Sequence, residues 1–169
     1  EKGIKRNHLI IAFGGGVVGD LAGYVAATLY RGISYIQIPT TLLAMVDSSI
    51  GSKVGIDLKQ GKNLLGAFYP PKLTLINPQF LETLDERTYN NGLAEMIKAG
   101  LIRDKKLYQY LLDHERVTMK EIEMAIHVKR EVVLVDPLDM GERMLLNFGH
   151  TFGHAIEKKH HYDTYLHGE

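Results

Sequence analysis

Short apolar runs alternate with a helix-like segment over the first part of the chain. The runs HLIIAF (8–13), ISYIQIP (33–39) and PPKLTLINP (70–78) are too short for helices and are typical of buried strands. Between the first two, VVGDLAGYVAATLY has helical spacing, with Gly19, Gly23 and Ala27 four residues apart on one small face. Strands separated by helices predict a parallel sheet, so we expect residues 1–77 to form part of an α/β layer.

The pattern between the second and third strands is less regular, and after Pro78 it becomes helical. TTLLAMVDSSIGS (40–52) predicts a short helix running into a Gly/Ser turn, and VGIDLKQGKNLLGAF (54–68) predicts a hairpin or loop built around Gly55 and Gly61. Four helices are predicted at 79–104, 105–115, 119–136 and 148–160, the third ended by Pro137. We therefore predict a fold of α/β plus all-α class, with residues 78–169 as a helical unit beside the α/β layer and a cleft between them.

Composition mainly excludes functions. Lys plus Arg and Asp plus Glu both number 20, which gives no indication of a nucleic-acid or membrane partner. The chain has no cysteine, which excludes disulfides, thiolate zinc sites and cysteine nucleophiles and is typical of a cytoplasmic protein. Residue 1 is Glu, and the chain stops within a motif-like YLHGE. We expect the chain to be an excised piece of a longer protein, with part of any active site outside it.

A glycine motif lies where the first strand meets the first helix. Gly14-x-Gly16-x-x-Gly19 matches the dinucleotide fingerprint, in which backbone amides approach a pyrophosphate at a helix N-terminus. The acid that usually binds a ribose at the end of the next strand is missing, because the chain reads Pro39-Thr40-Thr41 there. Phosphate or dinucleotide binding and a merely tight strand-to-helix turn both remain open.

Two polar clusters in mid-chain also have two interpretations each. Asp47, Lys53, Lys62 and Asn63 fall in a glycine-rich loop region, where lysines either clamp phosphates or are simply solvated. Glu95 lies three residues before Lys98 on a predicted helix. That spacing favours an i,i+3 ion pair, but a carboxylate on a half-buried helix face is also a good metal ligand.

Histidines near the end of the chain suggest a metal or an anion. His150 and His154 have i,i+4 spacing, which suits two ligands of one zinc ion, one ligand plus one anion-binding group, or a histidine pair at the core edge. His167 in LHGE could supply another nitrogen. Donors for carboxylate or phosphate oxygens precede the pair, at Lys129, Arg143 and Asn147. Together the patterns indicate metal-assisted redox chemistry on a phosphorylated or carboxylated molecule.

Five segments carry a resemblance to a known family. GGGVVGDLAGYVAATLYRG, QIPTTLLAMVDSSIGSKVGI, GKNLLGAFYPP, AEMIKAGLI and LNFGHTFGHAIE, followed by HGE, resemble 3-dehydroquinate synthase, in order over nearly the whole chain. The resemblance covers only the middle of that enzyme. It implies a lyase that converts 3-deoxy-D-arabino-heptulosonate 7-phosphate to 3-dehydroquinate and phosphate in aromatic amino-acid biosynthesis. NAD would transiently oxidise a ring hydroxyl, and zinc or cobalt would polarise that hydroxyl.

The resemblance also implies roles for individual residues. It assigns the metal to Glu95, His150 and His167, and it makes His154 a group that faces the substrate's phosphate. It assigns the cofactor to Gly16, Val17, Val18, Gly19, Asp20, Thr40, Thr41, Lys53, Lys62, Phe80, Leu81, Glu82 and Thr83. It assigns the substrate to Asp47, Lys53, Asn63, Lys98, Lys129, Arg143, Asn147 and His154, of which Lys98, Lys129, Arg143, Asn147 and His154 would also be catalytic. Arg31 would reach the substrate of a neighbouring subunit, so a homodimer is expected.

Two departures from the family pattern and three rival functions remain. IDLKQGKN replaces the usual NHPLGKN, and Asp139 stands where Glu is usual; we expect neither to touch a position that binds a ligand. A phosphate-binding lysine that such enzymes carry further on is absent, so we expect the chain alone to be inactive or nearly so. The rivals are another sugar-phosphate cyclase, a metal-dependent polyol dehydrogenase of the glycerol dehydrogenase kind, and a non-catalytic module that only binds a nucleotide or a partner.

Overall fold

A parallel sheet and one helix form the first layer of the computed structural model, which describes residues 3–58, 61–160 and 164–169 but not the side chains of 61–63. Strands β1 (Leu9–Gly14), β2 (Ser34–Pro39) and β5 (Leu73–Thr74) pair in parallel in the order β1-β2-β5. Helix α1 (Gly16–Thr28) connects β1 to β2 and packs on both. The predicted parallel α/β layer is confirmed.

Small residues let α1 lie close to its neighbours. Gly19, Gly23 and Ala26 are its buried residues, whereas Ala27 is only half-buried. The prediction of Ala27 on this face was wrong by one residue, because a strict four-residue step drifts around a helix of 3.6 residues per turn. A Cβ atom added at Gly23 would lie 2.4 Å from Cγ1 of Val54, so only glycine allows this approach.

The glycine-rich segment forms an antiparallel hairpin of β3 (Lys53–Leu58) and β4 (Gly61–Phe68). The prediction of a hairpin is confirmed, but Gly55 does not belong to its turn. Gly55 lies within β3 opposite Gly66, and a Cβ atom at Gly55 would lie 2.8 Å from the carbonyl oxygen of Leu65. The two glycines therefore allow the strands to pack tightly below α1, which contacts β3.

A single π-helical turn, Ala44–Ser48, follows β2 and carries Asp47. Its buried residues Ala44, Met45 and Val46 fix it in the molecule, and Gly51 at φ 104° turns the chain towards β3. Turns of this kind are rare overall, but those that occur often lie at functional sites, because the extra residue re-aims a side chain.

The second part of the chain is helical, as predicted. Asp85 caps α2 by accepting a hydrogen bond from the backbone amide of Thr88, so this helix begins later than the pattern indicated. Thr118 and Glu121 form a capping box at the start of α4, which ends just before Asp136 and Pro137. The elements are a 3₁₀ turn at Pro78–Thr83, α2 (Glu86–Ile102), α3 (Lys105–Asp113), α4 (Met119–Val135), an unpredicted 3₁₀ turn at Glu142–Asn147 and α5 (His150–Lys159).

The main core joins the helices to the π-helical turn. Met45, Met96 and Ile122 are fully buried in one cluster, which brings α2 and α4 against the segment that carries Asp47. A smaller cluster around Tyr35 and Val54 lies between the sheet, α1 and the hairpin. Polar side chains on the inner faces of α2 and α4 therefore converge near Asp47.

One face of the sheet is largely uncovered by the residues that the structure describes. Leu9, Ile11 and Phe13 alternate along β1 on the side opposite α1, and each is at least half exposed. Parallel sheets are usually covered on both faces. Among the helices described, none is long and apolar enough to cross a bilayer.

Candidate metal and anion site

Three predicted metal ligands meet although they come from distant parts of the chain. Glu95 of α2, His150 at the start of α5 and His167 near the end of the chain place one ligand atom each within 4.8 Å of one another. Nε2 of His167 lies 3.3 Å from Oε1 of Glu95. Ligand atoms around a tetrahedral zinc ion, at about 2.1 Å from the metal, lie about 3.4 Å apart, so this spacing fits a divalent ion.

Neighbouring donors and a cation keep Glu95 ionised. Burial opposes ionisation of Glu95, but the hydrogen bond from His167 and the nearby Lys98 outweigh it and hold the pKa of Glu95 below its usual value. Lys98 forms an ion pair with Glu95, and both side chains are less than 10% exposed. The predicted i,i+3 pair is thus present, and it leaves the carboxylate ionised as a metal ligand must be.

The two histidines respond to this carboxylate differently. Burial and the positive charges of Lys98 and His167 lower the pKa of His150, which favours the neutral imidazole that binds metals. The hydrogen bond with Glu95 raises the pKa of His167. A cation entering the cluster would therefore compete with a proton on His167, and its binding would weaken as the pH falls.

Helix α2 holds the segment that carries His167. Arg87 binds both carboxylate oxygens of Glu169 at 2.7 Å, and this lowers the pKa of Glu169 to about 2. The amide of Gly168 donates to Oδ1 of Asn91 at 2.6 Å. Sequence analysis missed Arg87 and Asn91, because contacts between residues about eighty positions apart leave no spacing signal.

His150 and His154 share one side of α5, as their spacing predicts. Their ring centroids lie 5.2 Å apart, and the His154 side chain is 54% exposed at the cavity beside the cluster. Glu157, one turn further on, is only 3% exposed and lies 3.1 Å from Nδ1 of His154 and 3.7 Å from Nδ1 of His167. Glu157 ends the segment LNFGHTFGHAIE, and sequence analysis gave it no role.

A second cavity, of about 560 Å³, lies between the hairpin, the π-helical turn and α4. The cationic side chains of Lys53, Lys129 and Arg143 line it. Nζ of Lys129 lies 2.5 Å from Oδ1 of Asp47 and 2.7 Å from its backbone oxygen. Burial opposes ionisation of Asp47, but Lys129, helped by Lys98 and His167, lowers its pKa. Arg143 lines the same cavity, although its guanidinium donates to the backbone oxygens of Gly51 and Pro137.

The two cavities adjoin. Asp47, Glu95, Lys98 and Lys129 together line a narrow gap, so the candidate metal ligands and the cation-lined cavity lie next to each other. Four predicted substrate residues (Asp47, Lys98, Lys129 and Arg143) meet there.

Lys53 has a partner that sequence analysis excluded. Its Nζ lies 2.5 Å from Oδ2 of Asp139, a residue with a left-handed backbone at φ 60°. The expectation that Asp139 does not touch a position that binds a ligand was wrong, because the loop after α4 folds back onto the start of β3. A substrate anion at Lys53 would have to share it with this carboxylate.

The predicted cofactor residues lie around the carboxyl ends of β1 and β2. The amide of Thr40 donates to the oxygen of Gly14, and a Cβ atom at Gly15 would lie 3.2 Å from Thr41. The glycine motif therefore does join a strand to a helix, beside both threonines. The remaining cofactor residues of this turn are Gly16, Val17, Val18, Gly19 and Asp20, of which Val17 is 83% exposed and Asp20 lines the second cavity.

The other predicted residues are scattered. Phe80 packs on Phe13 with ring centroids 5.3 Å apart, and Leu81 is buried in the main core, whereas Glu82 and Thr83 are exposed. Asn147 is exposed at the end of its 3₁₀ turn, and Arg31 is exposed with a left-handed φ of 62°. Lys62 and Asn63 fall in β4, but their side chains lie outside those described.

Asp20 gives stability a dependence on pH. Burial, together with the carboxylates of Asp47 and Asp57 and against the pull of Lys129, raises its pKa from 3.8 to about 7. Between these values the folded chain keeps a proton that the unfolded chain has lost, so the contribution of Asp20 to stability falls as the pH rises through this window. We expect Asp20→Asn to remove the part of the stability loss that Asp20 causes as the pH rises. Urea midpoints at about pH 5 and about pH 8 measure it in both proteins. An equal drop in urea midpoint between the two pH values in both proteins would contradict the raised pKa of Asp20.

Comparison with known proteins gives the family. The N-terminal family model of 3-dehydroquinate synthase matches residues 1–91, and the C-terminal model matches residues 92–169. A 3-dehydroquinate synthase of Clostridium perfringens is 56% identical over 172 residues, which cover 98% of this chain and 49% of the relative. The chain thus spans about half the length of the curated relatives it matches.

Two solved structures share the fold closely. A 2-epi-5-epi-valiolone synthase from Streptomyces hygroscopicus, with NAD+ and Zn2+ bound, superimposes with a TM-score of 0.91 at 36% identity over 98% of this chain and 49% of its own. A 2-deoxy-scyllo-inosose synthase complexed with carbaglucose-6-phosphate, NAD+ and Co2+ gives 0.86 at 31% identity, over 98% and 48%. With both family models matched end to end over its whole length, the chain belongs to the 3-dehydroquinate synthase family.

Proposed function

We propose that this chain supplies the metal- and substrate-binding residues of a 3-dehydroquinate synthase, which converts 3-deoxy-D-arabino-heptulosonate 7-phosphate to 3-dehydroquinate and phosphate. The observation that carries the proposal is the cluster of Glu95, His150 and His167 beside a cation-lined cavity in a member of this family. The carboxylate and the phosphate of this substrate are anions, so they need converging cations in a chain whose net charge is zero.

Metal and cofactor have separate places in this proposal. Glu95, His150 and His167 would hold zinc or cobalt, and NAD would lie along the glycine turn, Thr40, Thr41, the residues 80–83 and the lysines Lys53 and Lys62. Solved relatives that are 31–36% identical hold NAD+ with Zn2+ or Co2+, which supports both assignments. When bound, the two groups supply reversible hydride transfer and polarisation of the substrate's hydroxyl.

The side chains of the chain would bind and orient the substrate. Lys129 and Arg143 present positive charge to the second cavity, while Lys98 presents an ammonium group beside the metal cluster. His154 is exposed at the neighbouring cavity, so its imidazolium form can donate a hydrogen bond from Nε2 to a leaving phosphate oxygen. Asp47 would hold Lys129 in place through the contact at 2.5 Å.

Two rivals are less well supported. Other sugar-phosphate cyclases share the fold at 31–36% identity, whereas the relative named 3-dehydroquinate synthase is 56% identical. A polyol dehydrogenase would use the same kind of metal site but would release NADH. The products therefore distinguish the three enzymes.

The activity is best tested in a chimera, because the chain spans about half of its relatives. The matched 172-residue segment of the Clostridium perfringens enzyme would be replaced by this chain. We expect the chimera to release phosphate from the heptulosonate phosphate with no rise in absorbance at about 340 nm, since NAD is regenerated in each turnover. The chimera with Glu95→Ala is the matched control, and light scattering would check the expected homodimer, in which Arg31 would reach the substrate of the neighbouring subunit.

Two results would contradict the proposal. One is accumulation of NADH, and the other is a correctly folded chimera that does not convert this substrate but converts another sugar phosphate. The 169-residue chain by itself should release phosphate at a rate close to background.

A further inference from the structure

A buried carboxylate lies behind both functional histidines. The Glu157 side chain is 3% exposed, on the inner side of α5. Its Oε2 lies 3.1 Å from Nδ1 of His154, and its Oε1 lies 3.7 Å from Nδ1 of His167. A carboxylate at this depth is stabilised by donors close by. Nδ1 of His154 lies within hydrogen-bond distance of Oε2, and Nδ1 of His167, at 3.7 Å, makes a longer electrostatic contact with Oε1.

The two nitrogens of His167 have different surroundings. Nδ1 faces Glu157, while Nε2 lies 3.3 Å from Glu95 and faces the metal cluster. A neutral imidazole has one donor and one acceptor nitrogen, so a proton held at Nδ1 leaves the lone pair at Nε2 for a cation. Carboxylates behind metal-binding histidines act in this way in many sites.

The same carboxylate orients His154. A hydrogen bond donated by Nδ1–H to Oε2, 3.1 Å away, would fix the ring about its Cβ–Cγ bond and turn Nε2 away from Glu157. One side chain therefore sets the ring orientation of a group assigned to the metal and of a group assigned to the substrate.

We propose that Glu157 is a positioning residue that keeps a proton at Nδ1 of both His154 and His167 and so links the metal site to the phosphate-facing histidine. The inference rests on the proposed function for the metal site at Glu95, His150 and His167. It assigns to Glu157 no direct contact with metal or substrate.

The test measures the zinc affinity of the full chain by titration calorimetry and compares it with that of Glu157→Gln. Glutamine keeps the shape but presents an amide, which can donate to Nδ1 and favour the wrong tautomer. We expect zinc affinity to fall by about 10–100-fold, the usual cost of losing a group behind a metal ligand. Glu121→Gln is the matched control, because Glu121 is a helical glutamate that is 2% exposed and bonds Thr118. Its zinc affinity should stay unchanged.

A second measurement separates positioning from folding. Long-range proton–nitrogen spectra of the zinc-loaded chain should show His154 and His167 protonated at Nδ1, and this pattern should change in Glu157→Gln but not in Glu121→Gln. Glu157→Asp, which keeps the charge, should recover part of the affinity.

Three results would overturn the inference. Unchanged affinity and tautomers in Glu157→Gln, while Glu95→Ala loses zinc, would overturn the role of Glu157 alone. Two zinc ions per chain, one of them lost in His154→Ala, would make Glu157 a ligand, since His154, Glu157 and His167 also lie within 4.8 Å. A folded chain that binds no zinc would overturn the proposed metal site and this inference together.

Discussion

Replacing Glu95 by alanine is expected to abolish tight zinc binding. Glu95 is the only carboxylate among the three assigned ligands, and it is buried beside the two imidazoles. Without it the cation would face His150, His167 and the ammonium group of Lys98, which repels it. The loss should exceed the roughly 100-fold that removal of a group behind the ligands costs. Calorimetric titration of zinc into both proteins measures it.

The same change leaves Lys98 buried without its ion-pair partner. Breaking a buried pair costs about 3–5 kcal/mol, so the variant should also unfold more easily. Glu95→Ala combined with Lys98→Met removes the unpaired charge and should recover stability but not zinc binding. Glu86→Ala, at an exposed position of the same helix, should keep both. Zinc affinity within tenfold of the unmodified chain would refute the assignment.

Gly92→Ala is expected to cause a large loss of stability. A Cβ atom at this position would lie 2.5 Å from the backbone nitrogen of Leu43 and 2.6 Å from Cβ of Leu42. Backbone atoms cannot rotate away, so α2 would have to move from the segment leading to Asp47. Overpacking of this kind costs about 1–3 kcal/mol, and we expect the upper end. At about 3 kcal/mol the melting temperature should fall by roughly 6–12 °C.

Gly153→Ala is the matched comparison. Gly153 is also inside a helix, but a Cβ atom there would meet no atom within 4 Å. Alanine should therefore stabilise by about 0.5–1 kcal/mol through helix propensity alone. Similar melting temperatures for both variants would mean that α2 and residues 42–43 do not pack as described.

Local patterns predicted most of the helices and strands. Apolar runs flanked by Gly and Pro gave the parallel strands, and the helix-breaking Pro137 ended α4 where expected. These features depend on neighbours within a few residues, so a single sequence contains them. The π-helical turn at Asp47 was not predicted, because packing of Met45 and Val46 between α2 and α4 selects it.

The candidate site was predicted through resemblance more than through spacing. The i,i+4 pair His150 and His154 gave only open alternatives, and nothing local joins Glu95 to His167. Long-range contacts such as Lys53 with Asp139 were misjudged, because they depend on how a loop folds back after α4. Glu157 is part of a recognised motif, but the sequence does not show that its side chain is buried behind the histidines, and its role was inferred from that burial.

The partly exposed row of Leu9, Ile11 and Phe13 affects how the chain must be handled. It lies on β1, an edge strand in the part of the sheet that the structure describes, and exposed apolar edges recruit further strands from other molecules. Apolar association weakens on cooling. Cold, dilute solutions therefore favour single copies, whereas warm, concentrated ones favour precipitates whose formation says nothing about the chemistry of the site.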